Sequence, residues 1–169
     1  MSDRHGIDMQ SIEPGKPEFM QMAAEEAARG VQSGDGGPFG AVIVRNGEVI
    51  ARGHNMVLSS NDPTAHAEVT AIRAASKALG RFDLSDCRLY TSCEPCPMCL
   101  AAIHWARIPV VYQGANRYDA ADAGFDDEYL YEALCGQTQE KRVSISELGR
   151  DLCLGPMKMW KQKQDRTPY

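Results

Sequence analysis

The chain lacks any long apolar run. No stretch of its 169 residues approaches the ~18 consecutive apolar residues of a membrane span. Met1 to Gly15 is polar and carries Asp3, Arg4, His5 and Asp8. It has no apolar core of the kind a secretion signal needs. Residues 1–15 therefore read as a flexible leader on a cytoplasmic protein with no membrane partner. A basic excess is also missing. The formal net charge is -5 and the pI is near 5.4, which excludes a broad phosphate-gripping surface and makes nucleic acid an unexpected partner. Lys158, Lys161 and Lys163 form only a local cluster. Repeats, low-complexity runs and dividing linkers are absent, so 16–169 is expected to form a single domain. Its 43% hydrophobic and 24% charged content suits one compact core.

What is present is chemistry. The chain has six cysteines, and without a secretion signal the Cys96-Pro97-Met98-Cys99 pair favours metal or redox chemistry over structural bridges. His66-Ala67-Glu68, thirty positions upstream of Cys96, decides for metal. Together they supply three soft ligands and one carboxylate that is not a ligand. A closed structural zinc site takes four protein ligands, whereas a catalytic one takes three plus water. His66, Cys96 and Cys99 are thus the expected ligands of one Zn2+, with water or hydroxide fourth and Glu68 as the acid/base. His-x-Glu followed by Pro-Cys-x-x-Cys is the pattern of zinc-dependent nucleobase deaminases. The bland alternative is a structural zinc knot completed by Cys93, Cys87, His54 or His104, of which Cys93 is nearest.

The surrounding pattern places these residues. Phe19, Ala23, Ala27 and Val31 recur every four residues and predict a helix over Pro17 to Ser33. Strands are expected over Phe39 to Arg45 and Glu48 to His54, joined by the hairpin signal Asn46-Gly47. A helix is expected from Pro63-Thr64 with Ala65, Val69, Ile72 and Leu79 inward, ending at Gly80. Cys87 to Thr91 and Pro109 to Tyr112 read as strands around a helix from Pro97 to about Ala106. Asp126 to Leu134 and Gly155 to Lys163 read as helices, Val143-Ser144-Ile145 as a short strand, and Asp165 to Tyr169 as a polar tail. The order predicts an α/β fold: a three-layer α/β/α sandwich around a mixed sheet.

Spacing adds a geometric demand. Pro97 suits a first helical position, so Cys96 caps that helix and Cys99 lies in its first turn. Residues two apart do not face each other within a helix. His66 and Glu68 can serve one ion only if it lies just beyond the helix start. Two helix N-termini must therefore converge, and their dipoles favour the thiolates that zinc needs.

At this point a family resemblance enters. Asp62-Pro63-Thr64-Ala65-His66-Ala67-Glu68, Tyr90 to Cys99 and Ala123-Gly124-Phe125-Asp126-Asp127 resemble the guanine deaminases of the cytidine deaminase superfamily. The likeness runs from about Phe19 to the terminal Tyr169 and includes Gly36 to Val44. It implies a cytidine deaminase-like fold and conversion of guanine and water to xanthine and ammonia, in purine salvage or catabolism. It also implies that Asn55 and the Ala67 backbone contact the purine, that Phe39 and Trp105 shape apolar walls, and that Asp127 helps the amino group leave. Such enzymes exchange C-terminal segments in a homodimer, which would bring Tyr169 to the partner's pocket. Guanosine, cytosine or triazine deamination, tRNA adenosine deamination and a non-catalytic zinc module are the competing readings.

Overall fold

Strand β1, Gly40–Arg45, carries the logic of the fold. Its residues alternate between two helical layers, as side chains along a strand must. Ala41 and Ile43 join one core, with Ala67, Ala71 and Ala75 of helix α3 (Ala67–Leu79) and Ile103 of helix α4 (Pro97–Trp105). Val42 and Val44 join a second core, with Phe19 and Ala23 of helix α1 (Pro17–Ser33). Both faces of the sheet are thereby covered. The computed structural model from which this is read describes residues 13–125, 127–140 and 142–167.

The sheet has four strands in the order β2-β1-β3-β4, where β2 is Glu48–His54, β3 is Cys87–Cys93 and β4 is Val110–Ala115. β1 runs antiparallel to both β2 and β3, and β3 runs parallel to β4. This is the mixed, helix-sandwiched sheet that the sequence predicts. The hairpin turn is made by Asn46 (φ 51°) and Gly47 (φ 81°), the positive-φ pair that a two-residue turn favours. Two glycines let the helices approach the sheet. A Cβ on Gly40 would meet the Ala23 carbonyl oxygen of α1 at 2.1 Å, and one on Gly53 would meet the Ala67 carbonyl oxygen of α3 at 2.8 Å.

Topology then selects one end of the sheet for the site. β2 and β3 end there, β1 begins there, and α3 and α4 start their return journeys there. Ligands of open α/β sheets bind in such a crevice outside the strand ends.

Several expectations change. Pro63-Thr64 is a turn rather than a helix start: Asp62 Oδ1 accepts from the Thr64 N–H at 2.8 Å and from its hydroxyl at 2.6 Å, a side-chain-closed Asx turn. α3 begins only at Ala67, and its buried face is Ala67, Glu68, Ala71 and Ala75. Two short helices, α2 (Val57–Ser60) and α5 (Arg117–Asp122), were not foreseen. Helix α6 spans Asp127–Leu134, with Asp126 outside the described residues. The strand expected at Val143-Ser144-Ile145 does not form. Val143 and Ile145 are exposed, and an isolated strand without a neighbour has no ladder to join. The last helix, α7, starts earlier than expected, spanning Arg150–Gln162 and running through Pro156.

Candidate metal centre and active site

The two helix N-termini meet as the spacing demands. His66 is the N-cap of α3 and Cys96 the N-cap of α4, both with extended backbone (ψ 159° and 166°). Because His66 stands outside its helix, it and Glu68 can face one point although they are two residues apart. Cys99 lies in the first turn of α4 and is fully buried. His66 Nδ1 is 3.6 Å from Cys96 Sγ and 3.5 Å from Cys99 Sγ, and all three donor atoms lie within 4.8 Å of one another. A tetrahedral zinc with Zn–S near ~2.3 Å and Zn–N near ~2.0–2.1 Å separates its N and S ligands by about 3.6 Å. The donor set and its spacing therefore fit one zinc ion.

Charge at this cluster follows from crowding. Hydrogen bonding from the Cys99 thiol, with help from His66, pushes the Cys96 thiol well down. The neighbouring Cys96 sulfur and then burial push Cys99 up. His66 is raised by its bond to Cys96. Among the described residues this is the group that can hold a metal ion. Cys93 is not part of it. Its thiol donates to the Asn116 carbonyl at 3.5 Å, and burial, with Asp127 and Glu68 nearby, pushes it up to about 11. His54 is committed elsewhere, to Asp35 and Arg29. A four-ligand knot built on either residue has no support.

Glu68 is buried, and burial raises its carboxyl above the usual range. The Thr91 hydroxyl, reaching from β3, donates to Glu68 Oε1 at 3.0 Å and fixes the carboxyl. A cavity of about 400 Å³ opens beside it, within the size range of small-molecule sites. Phe39, Asn55, His66, Glu68, Cys96 and Asp127 all line it, so most of the residues singled out in the sequence converge. Asn55 is buried and follows β2 directly; its Oδ1 accepts from the Val57 N–H at 3.1 Å. Phe39 meets Phe125 edge-to-face, with centroids 4.7 Å apart. Ala67 is fully buried at the first position of α3, where helical N–H groups lack partners within the helix.

Asp127 opens α6, which is tied to the cysteine loop from outside. The Tyr131 hydroxyl donates to the Pro95 carbonyl at 2.7 Å. The Arg117 guanidinium stacks 3.8 Å from the Tyr131 ring centroid and pairs with Glu94. Asn116 starts α5 with a reciprocal capping box: its Oδ1 accepts from the Tyr118 and Asp119 N–H groups, and Asp119 accepts from the Asn116 N–H. Glu94 and Phe125 also line the cavity. Both lie inside the quoted motifs, so their position beside the metal ligands was the available signal.

The two remaining aromatic residues expected at the site stand apart from this account. Tyr169 lies outside the described residues. Trp105 is 65% exposed and lines a separate groove with Val69, Ile72, Phe82, Ala102 and Thr167. The reason is helical rise: six residues beyond Cys99, Trp105 stands about 9 Å farther along the axis of α4. Within its own chain it is not a wall of the zinc cavity.

Chemically, this is equipment suited to a metal-assisted hydrolase: a three-donor cluster with a buried carboxyl at the edge of a small cavity. Residues 15–115 match the family model for the cytidine and deoxycytidylate deaminase zinc-binding region. A guanine deaminase from Bacillus subtilis is 50% identical over 151 residues, covering 89% of this chain and 97% of that protein. A tRNA-specific adenosine deaminase from Streptococcus pyogenes is 40% identical over 129 residues, or 75% and 77% of the two chains. The crystal structure of guanine deaminase from Bacillus subtilis superposes with a TM-score of 0.85 at 48% identity, over 92% of this chain and 99% of that one. The protein belongs to the zinc-binding cytidine and deoxycytidylate deaminase family, and zinc is its cofactor. Among the described residues, no helix is long and apolar enough to cross a membrane.

Proposed function

We propose that the protein hydrolyses guanine to xanthine and ammonia, in purine salvage or catabolism. The observation that carries this reading is the small cavity on which His66, Cys96, Glu68, Asn55 and Asp127 converge, in a chain aligned over nearly its whole length with a guanine deaminase. His66, Cys96 and Cys99 are the proposed ligands of zinc, which when bound lowers the pKa of a water molecule and makes it a nucleophile near neutral pH. Glu68 takes the proton released from that water and passes it to the ring nitrogen beside the carbon under attack. A carboxyl whose affinity for protons is raised by burial suits both halves of that transfer. Water's oxygen bonds to the ring carbon, the carbon–nitrogen bond breaks, and the amino group leaves as ammonia. Asp127, on the same cavity, accepts and returns a proton in the departure step. Asn55 and the Ala67 backbone hold the base by hydrogen bonds, and Phe39 packs on it. A base that cannot satisfy these buried groups is rejected.

We further propose a homodimer that exchanges C-terminal segments, bringing Tyr169 to the partner's cavity. Supporting this, α7 has no buried residue, and Leu148, Leu152, Met157 and Met159 are exposed. Thr167 lies against the groove that holds Trp105, so Trp105 is better read as part of the tail's seat than as a wall of the base pocket. An exchanged tail takes the place its own chain's tail would occupy. A reducing, cytoplasmic setting suits a site whose thiols must stay reduced.

The family's tRNA branch is the second reading, favoured by the 40% identity and opposed by the net charge of -5. An ultraviolet assay with guanine, guanosine, cytosine, adenosine and a tRNA anticodon stem-loop separates the readings. Guanine is expected to be consumed fastest; preferential deamination of guanosine or of the stem-loop overturns the assignment.

A further inference from the structure

Asn55, the proposed contact of the base, is held by a polar network that the chemistry above does not use. The residue before it, His54, is buried at the end of β2. Its Nε2 lies 2.9 Å from Asp35 Oδ2, and its Nδ1 lies 3.0 Å from Arg29 Nη2. Glu26 Oε2 also stands 3.4 Å from Nδ1, but the closer partner is the guanidinium, which only donates; with Nδ1 accepting from it, Nε2 carries the proton given to Asp35. Arg29 is in turn paired with Glu26 of α1. A Cβ on Gly30 would stand 2.8 Å from the His54 ring, so the ring is clamped against α1.

Asp35 reaches both walls of the cavity. Its carbonyl accepts from the N–H groups of Leu58 (3.0 Å) and Ser59 (3.1 Å), fixing α2. Bonds from His54 and then Ser59 hold its carboxyl below the usual range. Gly36, the next residue, packs so closely on Asn55 that a Cβ would stand 2.1 Å from Asn55 Oδ1. Gly36, Gly37, Asn55, Val57 and Leu58 all line the cavity. With Oδ1 held by the Val57 N–H, the Asn55 amide is fixed in orientation, and its N–H group is the donor it can offer a base. The direction of that N–H group depends on where β2 ends relative to the 35–37 turn, and the His54–Asp35 bond joins the two.

We propose that Asp35, acting through His54, is a positioning residue for substrate recognition, holding Asn55 and the Gly36-Gly37 turn in the geometry that grips the base. The proposal rests on the reading of Asn55 as a contact of guanine. Asp35 sits on a short loop with 24% of its side chain exposed, so its removal spares the core, whereas His54→Ala would leave a cavity and a broken network. Misplacing a binding group by a small distance weakens binding of the ground and transition states alike, which raises KM and leaves kcat.

The test is steady-state kinetics on the zinc-loaded enzyme with guanine, comparing wild type, Asp35→Ala, Asp35→Asn, Asn55→Ala and the Asp35→Ala/Asn55→Ala double variant. Asp35→Ala is expected to raise KM about tenfold with kcat within about twofold. Asp35→Asn, whose amide oxygen still accepts from His54, should recover most of that loss. In the double variant Asp35→Ala should add almost nothing to the effect of Asn55→Ala, because residues acting through one another are not additive. If Asn55→Ala raises KM while Asp35→Ala leaves it unchanged, or if the two effects multiply, the positioning role is overturned and the Asn55 reading stands. If Asn55→Ala itself leaves KM unchanged, the base-contact reading fails and the positioning role falls with it. A drop in kcat matched by lost zinc also overturns the proposal in favour of a merely structural role.

Discussion

Strand β1 and the C-terminal segment from Val143 to Trp160 are both rich in apolar residues, and they end in opposite surroundings. Ala41, Val42, Ile43 and Val44 are almost wholly buried between two helical layers. Val143, Ile145, Leu148, Leu152, Met157 and Met159 are exposed. Burying a Val, Leu, Ile or Met side chain is worth ~1.5–3 kcal/mol, so β1 helps to hold the sheet end on which the metal centre is built. The second segment leaves comparable stabilisation unused in the single chain. The difference separates two jobs. The candidate metal ligands and the described lining of the cavity beside them come from one chain up to Asp127, whereas the tail offers apolar surface that a second copy can cover.

The largest effects should come from the sheet end, and they should not depend on the tail. Glu68→Gln should keep zinc and melting temperature while losing ~10²–10⁴-fold in kcat, the usual share of positioned proton transfer; kinetics beside metal analysis checks this, and near-normal turnover would refute the proton shuttle. The tail comes next. Deleting Thr167 to Tyr169 should lower kcat/KM at least about tenfold while shifting the melting temperature by no more than ~2–4 °C, the equivalent of about 1 kcal/mol in a chain this size. An unchanged rate would place Tyr169 outside the site. Charging the exposed face with Leu148→Asp and Leu152→Asp tests the comparison most directly. Sedimentation should show a smaller species that still binds one zinc per chain. Loss of zinc together with loss of assembly would mean that the two regions are not separable.

How far this division was legible in the sequence depends on distance along the chain. The metal centre was readable because zinc needs particular residue types near helix starts: Cys96-Pro97 announces one start, whereas Pro63-Thr64, read as the other, is a turn just short of α3. The four strands and α1 were readable from periodicity and from Asn46-Gly47. Helix α5 escaped because six residues are too few to show a helical period, although its cap, Asn116 with Asp119, was present as a signal. The start of α7 was misplaced because Pro156 reads as a first-turn proline, while the exposed helix runs through it. Trp105 was assigned to the cavity by resemblance, and helical rise moved it to the other groove. The His54 network was invisible for another reason. His54 lies 19 positions from Asp35, 25 from Arg29 and 28 from Glu26, and no local pattern joins residues that only the sheet and α1 bring together.

The smallest effect is expected where β3 meets α5, at Cys93. The sequence alone left this thiol as the strongest candidate for a fourth zinc ligand. In the fold it is buried, bonded to the Asn116 carbonyl, and pushed up to about 11 by burial and by the carboxylates of Asp127 and Glu68. Its sulfur also stands outside the His66, Cys96 and Cys99 donor atoms that lie within 4.8 Å of one another, so it is not placed to share their ion. Serine keeps a hydroxyl able to donate to the same carbonyl. Cys93→Ser should therefore retain one zinc per chain and a rate within about twofold of wild type, with a stability change of no more than ~1 kcal/mol for one altered hydrogen bond. Zinc loss in that variant would return the centre to a four-ligand structural knot. Glu68 would then have no open coordination position to serve, and the division between a catalytic sheet end and an assembling tail would fail at its first half.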